Sequence, residues 1–146
     1  VKKLLVLLVL LLTPAFAQSL QGSIGGPFGL SAGIRLGLVP LLLDGRLYAS
    51  GGPVGAGGAL VFGGGADLLA KIPLTDLYLG GGVFFGSGDS LSALNRGNLG
   101  LRGVVGTWLN LGLPGIGFFI EAHPMVFFGS GTGFGLSGAF GVNIGF

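Results

Sequence analysis

The chain has 146 residues, of which 50% are hydrophobic, 8% are charged and 34 are glycine; seven Lys/Arg against five Asp/Glu give a formal net charge of +2. A soluble domain carries about 25% charged residues, so this composition argues against a water-exposed globular surface, and the absence of cysteine excludes a disulfide scaffold or a Cys-ligated metal site. Two of the basic residues are Lys2 and Lys3; without them the balance is five against five, and nothing in it points to nucleic acid.

The first predicted element is a leader over residues 1–17, "VKKLLVLLVLLLTPAFA". Lys2 and Lys3 precede an unbroken nine-residue apolar run, Leu4 to Leu12, and Ala15-Phe16-Ala17 has the small-x-small pattern of a cleavage site. The run is well short of the roughly 20 residues of a spanning helix, so a signal peptide is favoured over a membrane anchor, with the mature chain starting at Gln18. No later stretch reaches about 18 apolar residues of helix-forming type. Only helices and closed barrels satisfy their backbone in lipid, so an exported chain this apolar points to a barrel.

Barrel strands read as segments of about ten residues alternating apolar with small or polar positions. "SLQGSIG", Ser19 to Gly25, alternates in this way and is followed by Gly26-Pro27. "FGLSAGIRLGL", Phe28 to Leu38, sets Leu30, Ala32, Ile34 and Leu36 outward, with Ser31, Gly33, Arg35 and Gly37 inward. "LDGRLYAS", Leu43 to Ser50, is a weaker strand, and "SGGPVGAGG" reads as a loop. "ALVFGGGADLLAK", Ala59 to Lys71, faces Leu60, Phe62, Ala66 and Leu68 outward and Val61, Gly63, Gly65, Asp67 and Leu69 inward. "IPLTD" is a turn, and "LYLGGGVFFG", Leu77 to Gly86, has Leu77, Leu79, Val83 and Phe85 outward. Gly86 to Gly97 is the most polar stretch and reads as a surface loop.

"NLGLRGVVGTWLNL", Asn98 to Leu111, turns Gly100, Arg102, Gly106, Trp108 and Asn110 inward; "GLPG" is a tight turn. "IGFFIEAHPMVFF", Ile116 to Phe128, turns Gly117, Phe119, Glu121 and His123 inward, with a bulge or local break expected at Pro124, which lacks a ladder donor. The last strand runs to Phe146 with Phe134, Leu136, Phe140, Val142 and Ile144 on one face and small residues on the other.

The fold class expected is all-β: a closed antiparallel up-and-down transmembrane β-barrel of eight strands over residues 18–146. Eight is the smallest even strand number of single-chain outer-membrane barrels, and the 129 residues from Gln18 onward suit it. Connections near Leu38, Ile72 and Leu113 contain proline, whereas those at Gly51, Gly86 and Gly129 are rich in Gly or Ser. If the last strand runs toward the periplasm, the first set is periplasmic and the second extracellular. A helical reading fails because each glycine costs a helix about 1 kcal/mol. A Gly/Ala-rich secreted fibre would show regular repeats, which these strands do not.

The terminal alternation "AFGVNIGF" carries a resemblance. The pattern over Gln18 to Phe146 resembles the small eight-stranded bacterial outer-membrane barrels, the OmpA/OmpX-like transmembrane domains. The resemblance implies location in the outer membrane after export, outer-membrane lipids as partners, and Phe146 as the assembly signal read by the barrel-assembly machinery. The extracellular connections are short, which weakens any analogy to adhesins or receptors.

Four charges fall on the inward parity: Arg35, Asp67, Arg102 and Glu121. A basic residue on the lipid face would cost about 2–4 kcal/mol near mid-bilayer, so these four are read as barrel-interior ion pairs. A polar pathway for small solutes is the competing reading. Simple hairpin counting offsets Arg102 and Glu121 by four residues, roughly 13 Å, so the two are expected to share one network, directly or through Asp67 and Arg35. His123 is the only histidine and also faces inward. A lipid-modifying barrel enzyme would need a histidine, nucleophile and acid within hydrogen-bond reach, and a His and Ser facing lipid would favour it, whereas the inward parity of His123 favours a barrel without catalysis. "GSGTGFG" has no following helix and no weight as a nucleotide site. The function expected is a structural envelope barrel, with or without a narrow pore for small solutes; the alternative is a lipid-modifying outer-membrane enzyme. No catalytic residue, metal or cofactor is expected.

Overall fold

The computed structural model describes residues 18–54, 58–87, 99–129 and 132–146; the expected leader over residues 1–17 and most of the polar stretch between Gly86 and Gly97 lie outside the described residues. Eight strands follow one another: β1 (Gln18–Gly25), β2 (Leu30–Val39), β3 (Leu43–Val54), β4 (Ala59–Lys71), β5 (Leu77–Ser87), β6 (Leu99–Leu109), β7 (Ile116–Phe128) and β8 (Thr132–Gly145). Every strand pairs antiparallel with its sequence neighbours, and β1 pairs with β8, so the sheet closes into an up-and-down barrel. No helix among the described residues is long and apolar enough to cross a membrane.

The register sets the width. Paired residues can be followed from Ser19 through Arg35, Arg46, Asp67, Gly82, Arg102 and Met125 to Gly135. Continuing the β8–β1 register, in which Ser19 faces Gly145 and Ile24 faces Phe140, returns to position 29, ten residues beyond the start. With strands about 4.8 Å apart, that stagger corresponds to a tilt of roughly 40° and a backbone radius of roughly 8 Å. An interior this narrow is filled by side chains.

Burial follows the period of two, with its usual sense reversed. On β7, Phe119, Glu121, His123, Met125 and Phe127 are buried, and Ile116, Ile120, Ala122, Pro124 and Phe128 are exposed. All over the barrel the exposed side carries large apolar residues such as Leu60, Phe62, Leu79, Phe85, Leu101, Leu136 and Phe140. The interior pairs large with small. A Cβ at Gly63, Gly65, Gly80, Gly100, Gly106 or Gly141 would run into the side chain of Phe28, Tyr48, Leu69, Phe84, Tyr78 or Phe119 respectively. The glycines therefore make room for bulky neighbours at close-packed density.

Several boundaries differ from the sequence reading. β2 begins at Leu30 and not Phe28, because Gly26 and Gly29 adopt φ of 79° and 85°, a region that favours glycine. The turn they make lets Phe28 fold into the barrel mouth, where it is fully buried. The expected loop after Ser50 is strand as far as Val54. Pro53 is accommodated there because the β2 ladder has already ended at Gly51. β6 stops at Leu109, leaving Asn110 and Leu111 in the turn. At Pro124 there is no bulge. The β6–β7 register is unchanged on either side, but pairing lapses between Arg102–Met125 and Val105–Ala122. The missing N–H interrupts the ladder without shifting it.

Candidate functional site: the barrel interior

Two apolar clusters bracket the lumen. At the end where β1, β3, β5 and β7 finish, here the loop end, Phe28, Val61, Phe84, Met125 and Phe127 pack together with Tyr48. Phe84 meets Phe28 and Phe127 edge-on, at ring distances of 5.8 and 5.3 Å. At the opposite end, which holds the short turns between β2 and β3, β4 and β5, and β6 and β7, Leu69, Tyr78 and Val104 pack with Trp108. Trp108 in turn packs on Tyr78 and Phe119.

Between the clusters lies an ionic network. The β3–β4 register sets Arg46 directly opposite Asp67, and Arg46 Nε donates to Asp67 Oδ2 at 2.7 Å. Arg102 is two strands away, with Gly82 between it and Asp67. Because Gly82 has no side chain, Arg102 reaches past it and donates twice, from Nε to Oδ1 at 2.8 Å and from Nη2 to Oδ2 at 2.5 Å. A Cβ at Gly82 would collide with the Asp67 carboxylate. Arg46 Nη1 also donates to Glu121 Oε1 at 2.6 Å. β3 and β7 are four strands apart in either direction around the barrel, so this bond ties facing walls across the lumen.

Glu121 completes the network. Its Oε1 also accepts from Tyr78 OH at 2.6 Å, and its Oε2 is 2.7 Å from His123 Nε2. The Asp67 and Glu121 side chains are 0% and 1% exposed, and every carboxylate oxygen has a donor. Two guanidiniums against two carboxylates make the network neutral with a neutral histidine. The face of Tyr48 covers Arg102, with the guanidinium 4.1 Å from the ring centre.

Of the four charges expected inside, Asp67, Arg102 and Glu121 share this network, but Arg35 does not. The link between Arg102 and Glu121 runs through Asp67 and Arg46. Arg35 lies directly opposite Arg46, so like charges would meet if both leaned the same way. Arg35 instead turns toward the turn end, donating to Asp44 Oδ2 at 2.7 Å with its guanidinium against the rings of both Tyr78 and Trp108. Lys71 Nζ reaches the other Asp44 oxygen at 3.0 Å.

Sequence reasoning missed Asp44, Arg46, Tyr48 and Tyr78. Counting by twos from outward Leu47 and Leu77 would have placed all four inside. His123 is buried and faces the interior. Its Nδ1 meets no partner among the described residues, so no serine is held against it as a nucleophile. Phe146 follows β8 on the exposed side, and its N–H donates to the Gln18 carbonyl at 3.2 Å. Comparison with protein-family models, with characterised proteins and with solved structures gives no match.

Proposed function

We propose that this barrel is an integral outer-membrane protein with a structural role in the envelope, its lumen closed by its own side chains. The observation that carries this reading is the reversed burial. Among the described residues thirty large apolar side chains are exposed, and Arg35, Asp44, Arg46, Asp67, Arg102 and Glu121 are each no more than 6% exposed. Monomers in water seldom expose apolar patches beyond a few hundred Å², while lipid demands an apolar surface and a closed hydrogen-bonded sheet. The likeness of the strand pattern to OmpA/OmpX-like domains supports the outer membrane as that lipid phase.

A narrow pore is the second reading. Conduction along the axis would require breaking Arg46–Glu121 and parting both aromatic clusters, so the geometry favours the closed state. The lipid-modifying alternative has less support, because His123 faces the interior and not lipid. The test is fractionation and reconstitution. The protein should sediment with outer membranes, migrate faster on gels unheated than boiled, and show no steady conductance in planar bilayers. A detergent-free, monodisperse soluble monomer would overturn the membrane reading, and a steady open current would overturn the closed lumen.

A further inference from the structure

Beneath the apolar cluster at the loop end is a chamber of about 20 Å³ whose wall includes Gln21, Arg46, Tyr48, Ser50, Phe119 and His123. Both side-chain amide atoms of Gln21, together with Arg46 Nη2, Tyr48 OH, Ser50 Oγ and His123 Nδ1, are buried and meet no partner among the described residues. Gln21, Arg46 and His123 are only 7%, 6% and 2% exposed. Buried polar atoms are nearly always hydrogen-bonded, and both carboxylates nearby, Asp67 and Glu121, are already engaged by other donors at each oxygen. Unpartnered atoms gathered around one space point to a guest.

Size and polarity define that guest. One water needs about 10–15 Å³, so a chamber of about 20 Å³ suits a small guest such as a water or a monatomic ion. Arg46 Nη2 and Gln21 Nε2 are donors only, and the two hydroxyls can each add one hydrogen; Gln21 Oε1 and, while the ring is neutral, His123 Nδ1 are the acceptors. His123 Nε2 faces a carboxylate that only accepts, so Nε2 carries its hydrogen, and protonating the ring makes Nδ1 a further donor. A water accepts two hydrogen bonds; a halide accepts from every side. Arg46, Arg102, Asp67 and Glu121 already balance, so an anion entering alone would leave a buried charge uncompensated. The ionisable groups around the ring are Glu121 on its own strand, Arg46 and Tyr48 on β3, and Arg102 on β6; β1 and β8 carry none.

We propose that the chamber binds one small monovalent anion of halide size, taken up together with a proton on His123. The test uses the refolded full chain in non-ionic detergent. The urea midpoint is read from Trp108 fluorescence while bromide replaces the bulkier methanesulfonate at constant ionic strength. Bromide should raise the midpoint, and the rise should shrink as the pH is increased, because one proton accompanies each anion. Gln21→Leu should abolish the bromide effect, and Ser50→Ala, a smaller change, should weaken it if the leucine variant does not fold. Bromide-soaked crystals should show one anomalous peak between Gln21 and His123. Equal midpoints in both salts, a bromide effect independent of pH, or an effect that survives both substitutions would overturn the proposal and leave a chamber that holds water.

Discussion

Asp67 and Asp44 lie on adjacent strands, and each carboxylate meets two cations, but their surroundings differ. Asp67 is held by Arg46 and Arg102, both buried, midway along the lumen. Asp44 is held by buried Arg35 and by Lys71, whose side chain is 35% exposed near the turn end. Removing one partner of a pair sealed from water strands the other charge, whereas a half-exposed ammonium can turn back to solvent. The number of ion pairs is thus a poor guide to their worth; access to water is the better one.

The largest effect should come from Asp67→Asn, which leaves two guanidiniums facing an amide. Urea unfolding of the refolded barrel should show a loss of about 3–5 kcal/mol, and Asp44→Asn should lose less than half as much. Equal losses would remove the distinction between the two sites. Glu121→Gln should follow, costing about 3 kcal/mol by unbalancing Arg46. Adding Arg102→Met, which restores neutrality through the shared Asp67, should recover part of that loss, whereas simple additivity of the single changes would show that the network does not couple them.

Gly82→Ala sharpens the comparison without touching a charge. Its methyl group would meet the Ala66 carbonyl oxygen as well as the Asp67 carboxylate that Arg102 reaches, and a cost of about 1–3 kcal/mol is expected. In the Asp67→Asn background only the share that comes from obstructing the Arg102 bond should be relieved, because the backbone contact remains. Lys71→Met should be the mildest, about 0–1 kcal/mol, with an effect that shrinks in high salt.

Much of this architecture was legible because a strand turns successive side chains to opposite faces, which imposes a period of two. The stretches Ala59–Lys71 and Ile116–Phe128 have in the structure the bounds that alternation assigns them. The four-residue offset of Arg102 from Glu121 is also the one the register has, since Arg102 pairs with Met125. The missing member of the network, Arg46, sits on β3, where Leu47 is flanked by outward Gly45 and Ala49 and marks the face almost alone. Which way Arg35 leans was not legible either. It depends on Arg46 standing opposite, a matter of register between strands and not of pattern within one. Phe28 escaped because a glycine turn, and no strand, carries it inward.

The pairing of β1 with β8 has a consequence for how the barrel forms. Seven of the eight strand pairings join neighbours in sequence, but the eighth unites Ser19 with Asn143, 124 positions away, in a side-chain hydrogen bond of 2.6 Å. Closure entropy grows only logarithmically, by about 0.6 kcal/mol per doubling of the loop, so the obstacle is the time needed for the ends to meet rather than the free energy of joining them. Until they meet, the chain is an open ribbon with two bare rims, each able to recruit the complementary rim of another copy. One rim is β1, the shortest of the eight strands at 8 residues and without a charged side chain to repel an intruder. That seam is where correct closure competes with polymerisation, and dilution during refolding should favour the barrel.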